Sequence, residues 1–277
     1  MSRPGNTTHV TDSTDSDGAS ESAVTTEGRS DRGQPRPSGL ENTRMPSAAE
    51  RTRTLVQSTC SAVLVVPGLD VIGHGPPEPL TRSMGPDGDL FLGFPAGSHV
   101  VRAASRARDD ELTAVLELID VAPVSVPHRI RGRAGITGRL TCVPGLAGPG
   151  RMTLRLETVE AYVDDLWGSE EVEPDDFAGT AADPLVAHEA ELLQHLHAAH
   201  SGRMRTLGAL LRGRATRPHE AHRPVAVPVA LDRFGLRVRF IEDGGACFDA
   251  RFEFPEPVRD IGELRRAMRA LFEAAAC

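Results

Sequence analysis

The chain has 277 residues, enough for one large domain or two modest ones, and its 39% hydrophobic residues against 25% charged residues are the balance of a globular protein. No apolar run approaches the ~20 residues of a membrane-spanning helix, which argues against a transmembrane protein. A net charge of −8 and a pI near 5.7 argue against non-specific nucleic-acid binding, which needs a basic face to release counterions.

The 31 basic residues are all Arg, so each Arg cluster has to be judged by its local neighbours. Cys60, Cys142, Cys247 and Cys277 are scattered, with no Cys-x-x-Cys pair and no His at ligand spacing, so no zinc site is expected. The first 22 residues lack the apolar core of a secretory signal, and a cytoplasmic location with reduced thiols is expected.

Residues 1–45 are Ser, Thr, Gly, Asp, Arg and Pro with almost nothing to bury, which predicts a disordered tail. Order is expected to begin at Ser47 and Glu50, a Ser-x-x-Glu capping box opening a helix to about residue 59. Strand-like runs follow at 61–66, 80–84 and 90–94, separated by Pro and Gly turns such as Gly85-Pro86-Asp87-Gly88. A short helix fits 98–106, and longer strands fit 112–121, 130–143 and 152–166. The acidic stretch 170–176 and the run 179–184 read as a linker.

A second unit is predicted from about residue 183. Its first element is one long helix, 184–212, whose Leu192, Leu193, Leu196, His200, Met204, Leu207, Leu210 and Leu211 share a core-facing stripe. After the Arg-rich loop 212–223, the segments 225–231, 235–241 and 247–254 read as a three-stranded meander. Asp260 and Glu263 cap a final helix, 261–275. The expected architecture is α+β: residues 46–178 as a small antiparallel barrel and 183–277 as a sheet with helices on one side.

The segment Leu80-Thr81-Arg82-Ser83-Met84, its Gly-Pro-Asp-Gly turn, and Leu90-Phe91-Leu92-Gly93-Phe94-Pro95-Ala96-Gly97-Ser98 resemble the hairpin and phosphate corner of the split-barrel flavin-binding family that includes pyridoxamine phosphate oxidase. The second half is similar to the C-terminal module known as domain of unknown function 2470. The residues that carry this are Glu191-Leu192-Leu193-Gln194-His195-Leu196-His197-Ala198-Ala199-His200, Leu231-Asp232-Arg233-Phe234-Gly235-Leu236 and Phe252-Glu253-Phe254-Pro255-Glu256-Pro257-Val258. That module accompanies split barrels in haem-utilisation proteins and tetrapyrrole-pathway regulators. The resemblance implies a split β-barrel followed by a small α/β module, and a homodimer with ligands at the subunit junction.

In flavin-binding members a Ser followed by basic residues clamps the phosphate of flavin mononucleotide (FMN). Here Ser98 is followed by His99 and Val100, and the nearest fixed cations are Arg82 and Arg102, so the clamp is thinned. The alternative for Ser98 is a plain helix N-cap. Haem needs an axial donor, cations for its propionates and an apolar slot. Haem-degrading relatives place the axial His in the C-terminal tail, but this tail, Phe272-Glu273-Ala274-Ala275-Ala276-Cys277, has none. His74, His99 and His128 remain near strand ends, and Arg131 and Arg133 after His128 make either a propionate clamp or a wet strand face.

On one continuous helix His200 would sit in the Leu stripe, His197 at its edge and His195 on the opposite face, so these three candidates of the C-terminal module converge on no metal, and His200 reads as a core residue, with a partner-interface contact and a ligand role as the alternatives. No nucleophile elbow, phosphate-binding Gly loop or paired catalytic carboxylates are present. The function implied is a haem- or tetrapyrrole-binding protein linked to haem iron utilisation, with Arg82, Ser98, His99, Arg102 and His128 as pocket candidates. An FMN-dependent oxidoreductase and a non-catalytic regulator that has lost both ligands are the alternatives.

Overall fold

A computed structural model describes residues 43–58, 60–69, 75–107, 112–146, 148–211 and 224–276. The tail before residue 43, His74, the loop 212–223 and Cys277 lie outside these residues, so the expectations placed on them are not addressed by the structure.

The chain opens with α1 (Ala48–Gln57), where Ser47 Oγ accepts the N–H of Glu50 at 3.2 Å. The capping box is only half formed, because the buried Glu50 carboxylate is turned away to pair with Arg233 of the second unit. Strands β1 (Ser61–Val65), β2 (Thr81–Met84) and β3 (Leu90–Pro95) lead to α2 (His99–Arg106). The long strands β4 (Thr113–Val121), β5 (Ile130–Val143) and β6 (Arg151–Asp165) follow, and then β7 (Gly168–Val172) and α3 (Pro174–Gly179). The antiparallel sheet runs β1-β4-β5-β6-β3-β2 with β7 added on β6, and it curls as a half barrel. Alternation drives the curl: Ala114, Leu116 and Leu118 of β4 point inward with Leu154 and Leu156 of β6, and α1 and α2 supply Val56, Val100 and Val101 to the same core. A bulge falls between Thr137 and Gly138, where a Cβ on Gly138 would sit 2.1 Å from the Glu157 carbonyl oxygen.

The expected linker 170–176 is instead β7 and α3, with Val172 and Phe177 buried. So short an edge hairpin has no periodicity of its own; its order comes from pairing with β6 and from Arg51, which donates to Asp165 and Glu170.

The second unit starts with α4 (Glu189–Ala199), α5 (Ser201–Thr206) and a 3₁₀ turn, Leu207–Leu211. The predicted single helix is therefore broken at His200, which has φ −128° and ψ 23°. The meander β8 (Val225–Asp232), β9 (Gly235–Ile241) and β10 (Cys247–Glu253) follows, with α6 (Ile261–Ala276) last. Asp260 Oδ1 caps α6 by accepting the Glu263 N–H at 2.8 Å. Leu236, Val238 and Phe240 of β9 form a core with Leu193, Leu196, Met204, Leu207, Leu264 and Met268, so the helices cover one sheet face. Ala122, Val124 and Val126 of the β4–β5 loop belong to this second core. The observed architecture is a split barrel followed by a small α/β module. No helix among the described residues is long and apolar enough to cross a membrane.

Candidate functional site

The other face of the meander meets the barrel through arginines. Arg237 and Arg239 alternate with the apolar residues of β9 and are 0% and 1% exposed. Arg239 makes a bidentate pair with Asp249 at 2.6 and 2.9 Å and donates to the carbonyls of Pro127 and His128. Arg237 donates to the Leu166 carbonyl at 2.8 Å, but its Nε and Nη2 have no partner among the described residues. Burial first, and then the neighbouring Arg251, push its pKa down to about 10. Trp167, at the tip of the β6–β7 hairpin, stacks with two guanidinium groups, Arg237 4.4 Å and Arg251 4.5 Å from its ring centre.

Arg131 of β5 is neither a propionate clamp nor a wet-face residue. It is buried and bonded to Asp120, to Glu189 of α4 and to the Val229 carbonyl; burial works against its charge, but the two carboxylates outweigh it and hold its pKa above the ordinary value. Two clefts of ≈ 110 Å³ flank this tie and share Asp120, Arg131, Val186 and Glu189 in their walls. Each is well below the roughly 300–1,000 Å³ of a small-molecule pocket. His128 sits exposed on the β4–β5 loop with φ 53°, its carbonyl held by Arg239, so it is a fixed point of the junction and not part of an enclosed pocket.

The barrel corner after β3 gathers three of the other candidates. Ser98 Oγ accepts the Val101 N–H at 3.4 Å, the N-cap reading. Arg102 folds back to donate to the Gly97 carbonyl at 2.7 Å, and His99 is the first residue of α2. Arg82 is withdrawn from the corner: it caps the far end of α1 by donating to the carbonyls of Val56, Ser58 and Cys60. The placement follows register, since Arg82 pairs with Leu92 on the inward face of the β2–β3 ladder.

In its place the sheet supplies Arg151, which lies opposite Pro95 because β3 pairs with β6. The Ala96 N–H donates to the Gly150 carbonyl at 2.9 Å, fixing the β5–β6 turn against the corner. Arg151 is exposed, as are Leu146 of that turn and Leu80 beside β2. Sequence reading missed Arg151, because only the non-local pairing of β3 with β6 brings it there.

The donor set holds groups that a tetrapyrrole or a flavin phosphate would each use in part. An imidazole (His99), two exposed guanidinium groups (Arg102 and Arg151) and apolar side chains (Leu80 and Leu146) border one corner. The basic pair that follows the Ser in a flavin-phosphate clamp is His99 and Val100 here, and the nearby cation Arg82 is taken up by the end of α1.

The histidines of the second unit are rearranged by the break at His200. The rings of His195 and His200 meet edge to face with centres 5.0 Å apart, and His200 lies 6.4 Å from Phe272. His200 is half-buried at the surface, so the core placement expected from an unbroken helix is wrong, as is its separation from His195. Partial desolvation and the nearby His195 and Arg203 charges lower its pKa. His197 is half-buried on α4. No group of three metal-ligating side chains occurs among the described residues.

No family model matches the chain, and no curated protein matches it. Among solved structures, the chain is similar to a haem-binding protein from Mycobacterium smegmatis, with 19% identity over 84% of this chain and 99% of that one, at a TM-score of 0.55. It also matches a protein of unknown function from Agrobacterium tumefaciens, with 17% identity over 83% of this chain and 97% of that one, at a TM-score of 0.34. An FAD- and haem-binding protein from Mycobacterium smegmatis matches at 17% identity over 50% of this chain and 80% of that one, at a TM-score of 0.30. The last two scores are too low to carry an argument. The first likeness shows that the split barrel and its α/β module are shared almost from end to end with that haem-binding protein.

Proposed function

We propose that the protein binds haem or a related tetrapyrrole at the β3–α2 corner and serves haem iron utilisation, working as a homodimer whose second copy closes the slot. The observation that carries this reading is the juxtaposition of His99, Arg102 and Arg151 with exposed Leu80 and Leu146 at one rim of the barrel. His99 would offer an axial nitrogen, the two guanidinium groups would hold propionates, and the leucines would meet the macrocycle. When bound, haem would supply the redox and ligand chemistry, and the chain would orient it. The fold shared with a haem-binding protein supports the reading. Exposed Val159 and Tyr162 on the outer sheet face are consistent with pairing of two barrels.

Haem titration followed at the Soret band tests the site. Replacing Arg102 and Arg151 together by Ala removes two charge-assisted contacts and should weaken binding by on the order of 100-fold. His99→Ala should change the iron spectrum. His200→Ala should leave both affinity and spectrum unchanged; if it alone abolishes binding, the site lies in the second unit and this assignment fails. An FMN-dependent role is disfavoured by the commitment of Arg82 to the end of α1.

A further inference from the structure

Strand β10 forms one edge of the meander, since β9 lies between it and β8. The hydrogen bonds at the two ends of its ladder fix which way its backbone faces: the Glu242 N–H donates to the Ala246 carbonyl before the strand, and the Phe254 N–H to the Phe234 carbonyl after it. With the unbroken register between them, Phe248, Ala250 and Phe252 exchange bonds with β9, and Cys247, Asp249, Arg251 and Glu253 turn their N–H and C=O groups outward. The exposure agrees with this. The Asp249 side chain is 0% exposed while the residue is 9% exposed, so what solvent meets there is main chain. Among the described residues no strand pairs with this edge.

Natural sheets guard such an edge with Pro, with a bulge or with unmatched charges. β10 has neither Pro nor bulge, and the two charges at its centre are matched inside the chain, Asp249 by Arg239 and Arg251 by Asp232. Phe248, stacked on Phe240 with ring centres 5.2 Å apart, stays exposed beside it. The stretch Phe248-Asp249-Ala250-Arg251-Phe252 is self-complementary when laid antiparallel on itself. Centred on Ala250, Phe248 falls opposite Phe252, Asp249 opposite Arg251 and Ala250 opposite itself. A slip of two residues either way sets Asp249 against Asp249 or Arg251 against Arg251, and like charges directly opposed are unfavourable. The sequence of the edge therefore singles out one register.

We propose that β10 is the docking edge for a second copy of this chain, the two strands pairing antiparallel about Ala250 so that the two meanders form one continuous sheet. The contact is separate from the pairing of two barrels proposed above, and it needs neither that pairing nor a bound ligand. Strands of 7 residues meeting edge to edge make a small interface, so the association is reversible on dilution.

In this register Ala250 forms a non-hydrogen-bonded pair with its own copy, the Cα atoms about 4.5 Å apart and within the span of a disulfide. Ala250→Cys in the full chain, treated with glutathione disulfide and run on a non-reducing gel, should give a reducible covalent dimer at on the order of tenfold the wild-type background, which the native cysteines set. Phe248→Cys should stay at that background, because its two thiols would lie about 14 Å apart. Linking of both variants alike marks random collision and overturns the proposal, as does an Ala250→Cys variant that links no more than the wild type. A second measurement needs no variant and decides the matter should Ala250→Cys fail to fold: hydrogen exchange of the wild type at the Asp249 and Arg251 amides, which point away from β9. Protection that rises with protein concentration by on the order of tenfold supports the pairing, and exchange that does not change with concentration overturns it. A strand of a different protein as the natural occupant would leave both readouts flat.

Discussion

Arg237 and Arg239, two residues apart on β9, are equally buried but differ in what they are bonded to. Arg239 is matched at both guanidinium edges by Asp249 and by two carbonyls, whereas Arg237 keeps one carbonyl and the Trp167 face. Breaking a buried pair strands a charge, so Arg239→Met should cost about 3–5 kcal/mol. Arg237→Met removes a charge with two unmatched donors and should change stability by less than about 1 kcal/mol in either direction. Urea denaturation of the two variants side by side checks this contrast, and equal losses would contradict it. At His200 the break between α4 and α5 puts the ring at the surface, so His200→Ala should cost under about 1 kcal/mol instead of the penalty of a core cavity.

At the scale of elements, α1 depends on a side chain from another strand. Its last carbonyls are held by Arg82, and Arg82→Ala should lower stability by about 2 kcal/mol while leaving haem affinity unchanged. Loss of binding with stability intact would return Arg82 to the ligand site. The segment ahead of α1 is tied in as well: Arg44 donates to the carbonyls of Phe254 and Pro255 in the second unit. Removing residues 1–42 should leave the melting temperature unchanged, whereas removing Arg44 too should cost about 1 kcal/mol in a thermal melt.

The elements legible in the sequence were those with a strong local signal: the long strands with their alternation, the Ser47, Ser98 and Asp260 caps, and the meander. What local signal could not carry was the rest. The edge strand β7 and helix α3 are ordered by their neighbours. The break at His200 is invisible to a helical wheel that assumes continuity. Arg151 and Arg82 exchange places at the corner only because β3 lies between β2 and β6.

At the scale of the whole molecule, two apolar cores are joined by a polar seam of arginines, carboxylates and carbonyls. Such a seam holds its parts less firmly than an apolar interface of the same extent. The proposed ligand-binding role belongs to the barrel corner after β3. The most direct measurement of that role is an absorption spectrum of the purified protein, as isolated and during haem titration. The account predicts a saturable Soret band at one haem per chain, weakened when Arg102 and Arg151 are both replaced. A protein that isolates with stoichiometric flavin, or that shows no saturable Soret change, would contradict it.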